Sequence, residues 1–152
     1  MLLNGYFKLN NQPMSKLEIG AFRLDAFSGD GVHRNKRVSM CLKDIGPIPV
    51  GQYYIVDRES GGRLGWLRDI AKGGWKWFAL YANDGMIDDW TFCNNVHRGE
   101  FRLHPKIGQG ISKGCIVVDK EAEFMSLRSF LLSQNHIIPG TDIKTYGMIQ
   151  VI

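Results

Sequence analysis

The chain has little of what marks several large protein classes. No stretch among its 152 residues approaches the ~20 consecutive apolar residues of a membrane-spanning helix. The opening Met1-Leu2-Leu3-Asn4-Gly5-Tyr6 lacks both a basic leader and an apolar core of about 7–15 residues, so no secretory signal is expected there. There are three cysteines and four histidines, with no CxxC pair and no His-x-x-x-His spacing, which argues against zinc. The net charge is +4, but the basic residues are scattered and no Lys/Arg run alternates with aromatics. Nucleic-acid binding is therefore not expected. The one dense patch, His33-Arg34-Asn35-Lys36-Arg37, reads as a solvated loop, and the mild positive charge suits association with an acidic polymer. Repeats, linkers and low-complexity segments are also missing.

What is present fits one compact domain over residues 1–152. Apolar residues make up 44% and charged residues 22%, values of a folded globular chain rather than a disordered one. Glycine is the excess, at 18 residues, and with five prolines it suits many short strands joined by tight turns. Strands are expected near Tyr6 to Leu9, Leu17 to Ala26, Arg37 to Leu42 and Gln52 to Arg58. In the last of these Tyr53, Ile55 and Asp57 face one way, and Tyr54 and Val56 the other. A loop bracketed by Ser60-Gly61-Gly62 and Lys72-Gly73-Gly74 carries Trp66 in a candidate helical turn. Trp75 to Tyr81 reads as a strand with Trp75, Trp77 and Tyr81 on one packing face, closed by the turn Asn83-Asp84-Gly85.

The helix signal starts at Asp119, whose carboxylate is placed to cap the first turn, with Glu121 and Glu123 at the positive end of the dipole. A catalytic acid is the other reading of Asp119. Ala122, Met125, Ser126, Ser129 and Phe130 follow helical spacing, and Phe124, Leu127, Leu131 and Leu132 widen the apolar face. The helix ends before Pro139-Gly140, and Thr141 to Ile152 returns as a strand pair. The expected class is mainly β, in the α+β sense, with one main helix near the C-terminus.

The chemistry-bearing segment is Phe101-Arg102-Leu103-His104-Pro105, followed by Ser112-Lys113-Gly114-Cys115-Ile116. A thiol is nucleophilic as thiolate, and a nearby imidazole draws its proton away. Glycine before the cysteine clears the approach of a carbonyl, and Cys115-Ile116-Val117-Val118 reads as the start of a strand that holds the nucleophile rigidly. Read as ordinary structure, Cys115 is a small buried hydrophobe. Cys41 and Cys93 are either two buried thiols or one disulfide, and the strand reading of Cys41 favours buried thiols.

The spacing of His104, Ser112, Gly114 and Cys115 resembles the L,D-transpeptidase signature, and more closely the boxes of the type VI secretion L,D-transpeptidase effectors. Gly46-Pro47-Ile48-Pro49 with Gly51 and Tyr53-Tyr54-Ile55, Ala26-Phe27-Ser28-Gly29 with Arg34-Asn35, and Tyr146-Gly147 with Val151 resemble further segments of that family. Lys113 stands where the wider family has histidine, which leaves His104 as the base. The resemblance implies a sandwich-like fold and an antibacterial effector cutting the L-to-D bond of peptidoglycan peptide stems, with exchange of the terminal D-amino acid. It implies that Cys115 is the nucleophile, His104 the base, and Ser112 an orienting or oxyanion group or a plain loop hydroxyl. The amides of Gly114 and Cys115 would face the oxyanion. Arg102 and Lys113 would meet the acidic substrate. No cofactor is expected. Synthesis in the cytoplasm, export through a contractile secretion machine, an immunity protein and action in the target periplasm complete the expectation. The rival readings are a non-catalytic peptidoglycan-binding module and a cysteine amidase of another cell-wall class, for which only His136 follows Cys115.

Overall fold

A computed structural model describes residues 1–57, 77–108 and 112–152. Eight strands close into a barrel: β1 (Asn4–Phe7), β2 (Ser15–Ile19), β3 (Phe22–Phe27), β4 (Gly51–Asp57), β5 (Phe78–Ala82), β8 (Arg102–Pro105), β9 (Ile116–Val118) and β12 (Gly147–Val151). Their order round the barrel is β1-β12-β4-β5-β8-β9-β3-β2. Two small sheets lie outside it, β6 (Trp90–Cys93) with β7 (Val96–Gly99) and β10 (His136–Ile137) with β11 (Lys144–Thr145). The expected sandwich is thus a closed barrel. Alternating strands of this kind fill either architecture, and the parallel pairing of β1 with β12, which joins the two ends of the chain, is what closes this one.

The barrel interior is built by period-two alternation. Phe7, Leu17, Ile19, Leu24, Ile55, Leu80, Leu103, Ile116, Val118 and Ile149 are all buried in one core cluster. Helix α1 (Glu121–Leu132) adds Phe124, Leu127 and Leu131, the three of its residues that are buried. Each such side chain contributes about 1.5–3 kcal/mol by leaving water. The apolar face is narrower than its sequence suggests, because Leu132 stays exposed. A second cluster, Tyr54, Val56, Ala79 and Ile138, packs on the outside of β4 and β5.

Several local expectations are corrected. Leu17 to Ala26 is a hairpin, not one strand. Its apolar alternation continues across Gly20, which takes φ +58° in the turn and lets Ile19 pair with Phe22. Arg37 to Leu42 is not a strand. Arg37–Ser39 forms a 3-10 turn, with Leu42 donating to the Ser39 carbonyl and Gly46 to that of Leu42. The residue flanking α1 is Lys120, with no side-chain cap bond. Asp119 instead donates its amide to the Asp25 carbonyl and turns its carboxylate toward Lys106, 3.8 Å away. The C-terminal segment does not pair with itself, since β11 joins β10 and β12 enters the barrel. Trp66, Trp75 and the glycine pairs around them lie outside the described residues.

Candidate active site

Strands β8 and β9 run parallel, with Leu103 opposite Ile116 and His104 opposite Val117. Leu103, Ile116 and Val118 point into the core. By alternation His104 and Val117 share the outer face, and one step back Arg102 and Cys115 share it too. The strand pairing therefore brings imidazole and thiol, ten residues and more apart in sequence, to one side of two adjacent strands. His104 is buried, while Cys115 is half-buried and outside any disulfide. The sulfur lies 4.0 Å from the Glu100 carbonyl oxygen.

The hydrogen bonding of His104 fixes its tautomer. Nδ1 sits 2.7 Å from the Pro105 carbonyl oxygen, which can only accept, so Nδ1 carries the proton and Nε2 the lone pair of the neutral ring. Trp77 stacks on the imidazole with centroids 4.2 Å apart and planes 19° apart, an arrangement worth about 0.5–1.5 kcal/mol that also sets the ring plane. Sequence reasoning placed Trp77 in a packing stripe. The usable signal was the alternation itself, since Phe78 and Leu80 fill the core and Trp77 must face outward beside β8.

Ser112 is buried and organises the turn that delivers Cys115. Its hydroxyl donates to the Cys115 carbonyl at 2.8 Å and accepts the amides of Gly29 at 3.1 Å and Gly114 at 3.3 Å. The Gly114 amide is thus turned to Ser112, and of the two backbone donors expected at the oxyanion, that of Cys115 is the one not bound to this hydroxyl. Gly114 has φ +111°, and a Cβ there would lie 2.7 Å from the Phe101 ring and 2.8 Å from Arg98 Nη2. Only glycine fits.

Arg98 is 2% exposed. Its guanidinium donates to the carbonyls of Met40, Gly46 (3.0 Å) and Pro47 (3.3 Å), an arrangement in which the planar fork answers three otherwise buried acceptors. Burial pushes its pKa down from the ordinary arginine value, opposed by Tyr53 and Asp44. The Cys41–Cys93 disulfide ties together the two segments that Arg98 bridges, in place of the buried thiols favoured from sequence. Around the same brace, Asn35 accepts the Ser28 amide at 2.9 Å, Ser28 accepts that of Ile48 at 2.8 Å, and Tyr53 donates to the Pro49 carbonyl at 2.8 Å. The motif segments 26–35, 46–55 and 112–115 are therefore one scaffold beneath the thiol.

Arg102 is held by Asp89, Nη1 to Oδ1 and Nη2 to Oδ2, both at 2.8 Å. Burial disfavours its charge, but the Asp89 bonds and charge outweigh that, and Cys115 and Tyr81 add to them, so its pKa rises. Asp89 had no signal in the sequence. Lys113 is exposed beside the thiol turn. Among the described residues no group of His, Cys, Asp and Glu is placed to hold a metal, and no helix is long and apolar enough to cross a membrane.

A thiol and a tautomer-fixed imidazole, the two groups that cysteine acyl transfer uses, stand on the outer wall of a small β-barrel. The chain belongs to the Tlde1 domain family, the type VI L,D-transpeptidase effectors, whose model matches residues 22–140. No curated protein and no solved structure matches it.

Proposed function

We propose that the protein is a cysteine L,D-carboxypeptidase and L,D-transpeptidase acting on peptidoglycan tetrapeptide stems in the periplasm of a target cell. The observation that carries this reading is the shared outer face of His104 and Cys115 on the parallel β8–β9 pair, with the proton of His104 held on Nδ1. Nε2 takes the thiol proton and Sγ attacks the carbonyl carbon of the L-to-D bond. The carbonyl oxygen becomes an oxyanion facing the Cys115 amide, a contact typically worth about 3 kcal/mol. The C–N bond then breaks, His104 returns the proton to the departing D-amino acid, and a thioester remains on Cys115. Water releases a tripeptide stem; the amine of another D-amino acid releases a modified tetrapeptide. Ser112 positions the nucleophile turn, and exposed Lys113 attracts the acidic stem. As a delivered effector, the protein would also engage a component of the secretion machine and an immunity protein.

Mass spectrometry of muropeptides incubated with the protein tests the proposal. Tetrapeptides should shorten to tripeptides, and added D-methionine should divert product to a modified tetrapeptide. Cys115→Ala should abolish both reactions with the fold intact, His104→Ala should slow them by orders of magnitude, and His136→Ala should matter little. Cuts in the glycan, or between sugar and L-alanine, would identify a glycosidase or amidase instead. Binding without any thioester would identify a non-catalytic module.

A further inference from the structure

His104 has neighbours on both sides of its strand, and the one on β5 is aromatic. Phe78 pairs with Leu103 across the antiparallel β5–β8 ladder, so the preceding Trp77 stands opposite the following His104. His104 pairs in turn with Val117 of β9. Trp77, His104 and Val117 therefore form one row on the outer face. Phe78 anchors the start of β5 from the other side, buried with its ring 5.3 Å from that of Tyr146. The half-buried indole is thus held against the imidazole by the register of a core strand, which accounts for near-parallel planes at 4.2 Å.

Such a stack treats the two protonation states of the ring differently. A neutral imidazole gains only ordinary stacking, whereas an imidazolium is drawn to the negative face of the indole, the best of the aromatic faces for a cation. The Nδ1 partner, the Pro105 carbonyl at 2.7 Å, is neutral, and its bond also strengthens once the ring is charged. The charged and titratable groups of the surrounding elements are disposed in pairs or stand apart. On β8, Arg102 is closed by Asp89, and Lys106 faces Asp119 at 3.8 Å. Tyr81 stands further along β5 and Cys115 at the start of β9, and beyond Val117 Arg34 lies 3.9 Å over the ring centroid of Phe27. Each cation on this face of β8 is matched to a carboxylate, and the indole is the group laid flat on the imidazole.

We propose that Trp77 is a positioning residue for His104, its face holding the imidazole in plane and stabilising the imidazolium that forms when Nε2 takes the Cys115 proton. The inference deepens the acyl-transfer reading above and rests on it. The proton comes from Sγ, resides on Nε2 and leaves with the departing amine, so the indole acts only while the ring is charged. An interaction stronger in the charged state than in the resting one speeds the step instead of merely tightening binding.

NMR of the full chain tests this. In Cys115→Ala protein, which removes coupling to the thiol, the His104 ring resonances are followed against pH and identified by their loss in His104→Ala. Trp77→Leu keeps an apolar cover on the ring and deletes the aromatic face. Its His104 midpoint should fall by about 0.5–1 pH unit, a roughly three- to tenfold weaker hold on the proton. Trp77→Phe should recover at least half of that fall. Tryptophan carrying successive ring fluorines at position 77 keeps the shape and the fold while draining the face of charge, and should lower the midpoint step by step. With Cys115 restored, acylation by a carbapenem should slow by a similar factor in Trp77→Leu and recover in part in Trp77→Phe. Midpoints within about 0.2 pH unit of the parent in Trp77→Leu, or across the fluorinated series, overturn the proposal. Equal falls in Trp77→Leu and Trp77→Phe overturn it too, since fit alone would then explain the contact. Muropeptide turnover by the unsubstituted protein separates the two readings. The expected midpoints without turnover sink the proposed activity and keep the imidazolium contact, whereas turnover with unmoved midpoints sinks the contact alone.

Discussion

Gly114→Ala isolates the role of the turn before the nucleophile. At φ +111° an alanine is in a conformation that L-residues avoid, at a cost of about 1–2 kcal/mol. Its methyl would also press to 2.7 Å from the Phe101 ring and 2.8 Å from Arg98, and overpacking of that kind costs about 1–3 kcal/mol. The sum is about 2–5 kcal/mol. Phe101 and Arg98 are each 2% exposed, and Arg98 is fixed by three carbonyls, so the turn 112–115 is the part that yields. Relief of strain then displaces Cys115. A misplacement near 1 Å is enough for about a hundredfold loss of rate. The assay is the rate of thioester formation on Cys115 with a carbapenem, read as a mass shift, alongside a urea unfolding curve. Gly140→Ala is the control, since Gly140 has φ +78° with nothing within 4 Å of an added Cβ. It should lose about 1–2 kcal/mol of stability and no acylation rate. Acylation of Gly114→Ala within threefold of the parent rate would refute the reasoning.

Three further outcomes follow from other parts of the molecule. Replacing Cys41 and Cys93 by serine removes a cross-link spanning 52 residues and should cost about 4 kcal/mol in urea unfolding; an unchanged midpoint counts against the disulfide. Arg98→Met leaves three carbonyls without their donor, at about 1–3 kcal/mol each where burial persists, and should slow Cys115 acylation as well; a stable, fully active variant would show that the brace is dispensable. Burial and then the Asp57 carboxylate push the Tyr146 hydroxyl up from its ordinary 10.0 to about 12. Between those values the unfolded chain loses a proton that the folded one keeps, so stability should fall as pH rises from 10 to 12. Burial pushes Tyr53 upward too, so Tyr146→Phe should flatten part of that slope, and an identical slope would exclude Tyr146 as a contributor.

The placement of His104 and Cys115 was legible because it is local. His104 and Cys115 stand in short segments whose alternation alone fixes their shared face once β8 and β9 pair. The helix was legible from the spacing of Phe124, Leu127 and Leu131. What escaped depends on pairings distant in sequence. Asp89 lies 13 residues from Arg102, and Arg98 lies 58 residues from Met40, distances at which composition carries no information about contact. The closure of the barrel has the same origin, in β1 meeting β12 across the whole chain. Local misreadings had a common cause as well. Gly20 interrupts an apolar alternation without disturbing it, and the β-branched and apolar residues of 37–42 stay outside the sheets because the carbonyls of Met40, Gly46 and Pro47 are turned to Arg98.

The Arg102–Asp89 pair divides the labour around the thiol. From sequence, Arg102 was expected to meet the acidic substrate. Both terminal nitrogens are already matched to the two oxygens of Asp89, and Arg102 is only 11% exposed. Turning that fork to a substrate would leave the half-buried Asp89 carboxylate without its partner. A single exchanged contact with another carboxylate returns no more than it takes away. Arg102 therefore stays in place, its charge near Cys115 and largely cancelled by Asp89. With that fork closed by Asp89, a substrate carboxylate approaching the thiol must find its cation elsewhere. On the proposed function, exposed Lys113 at the turn before Cys115 is the cation left to meet it, because a contact there leaves the Arg102–Asp89 pair intact.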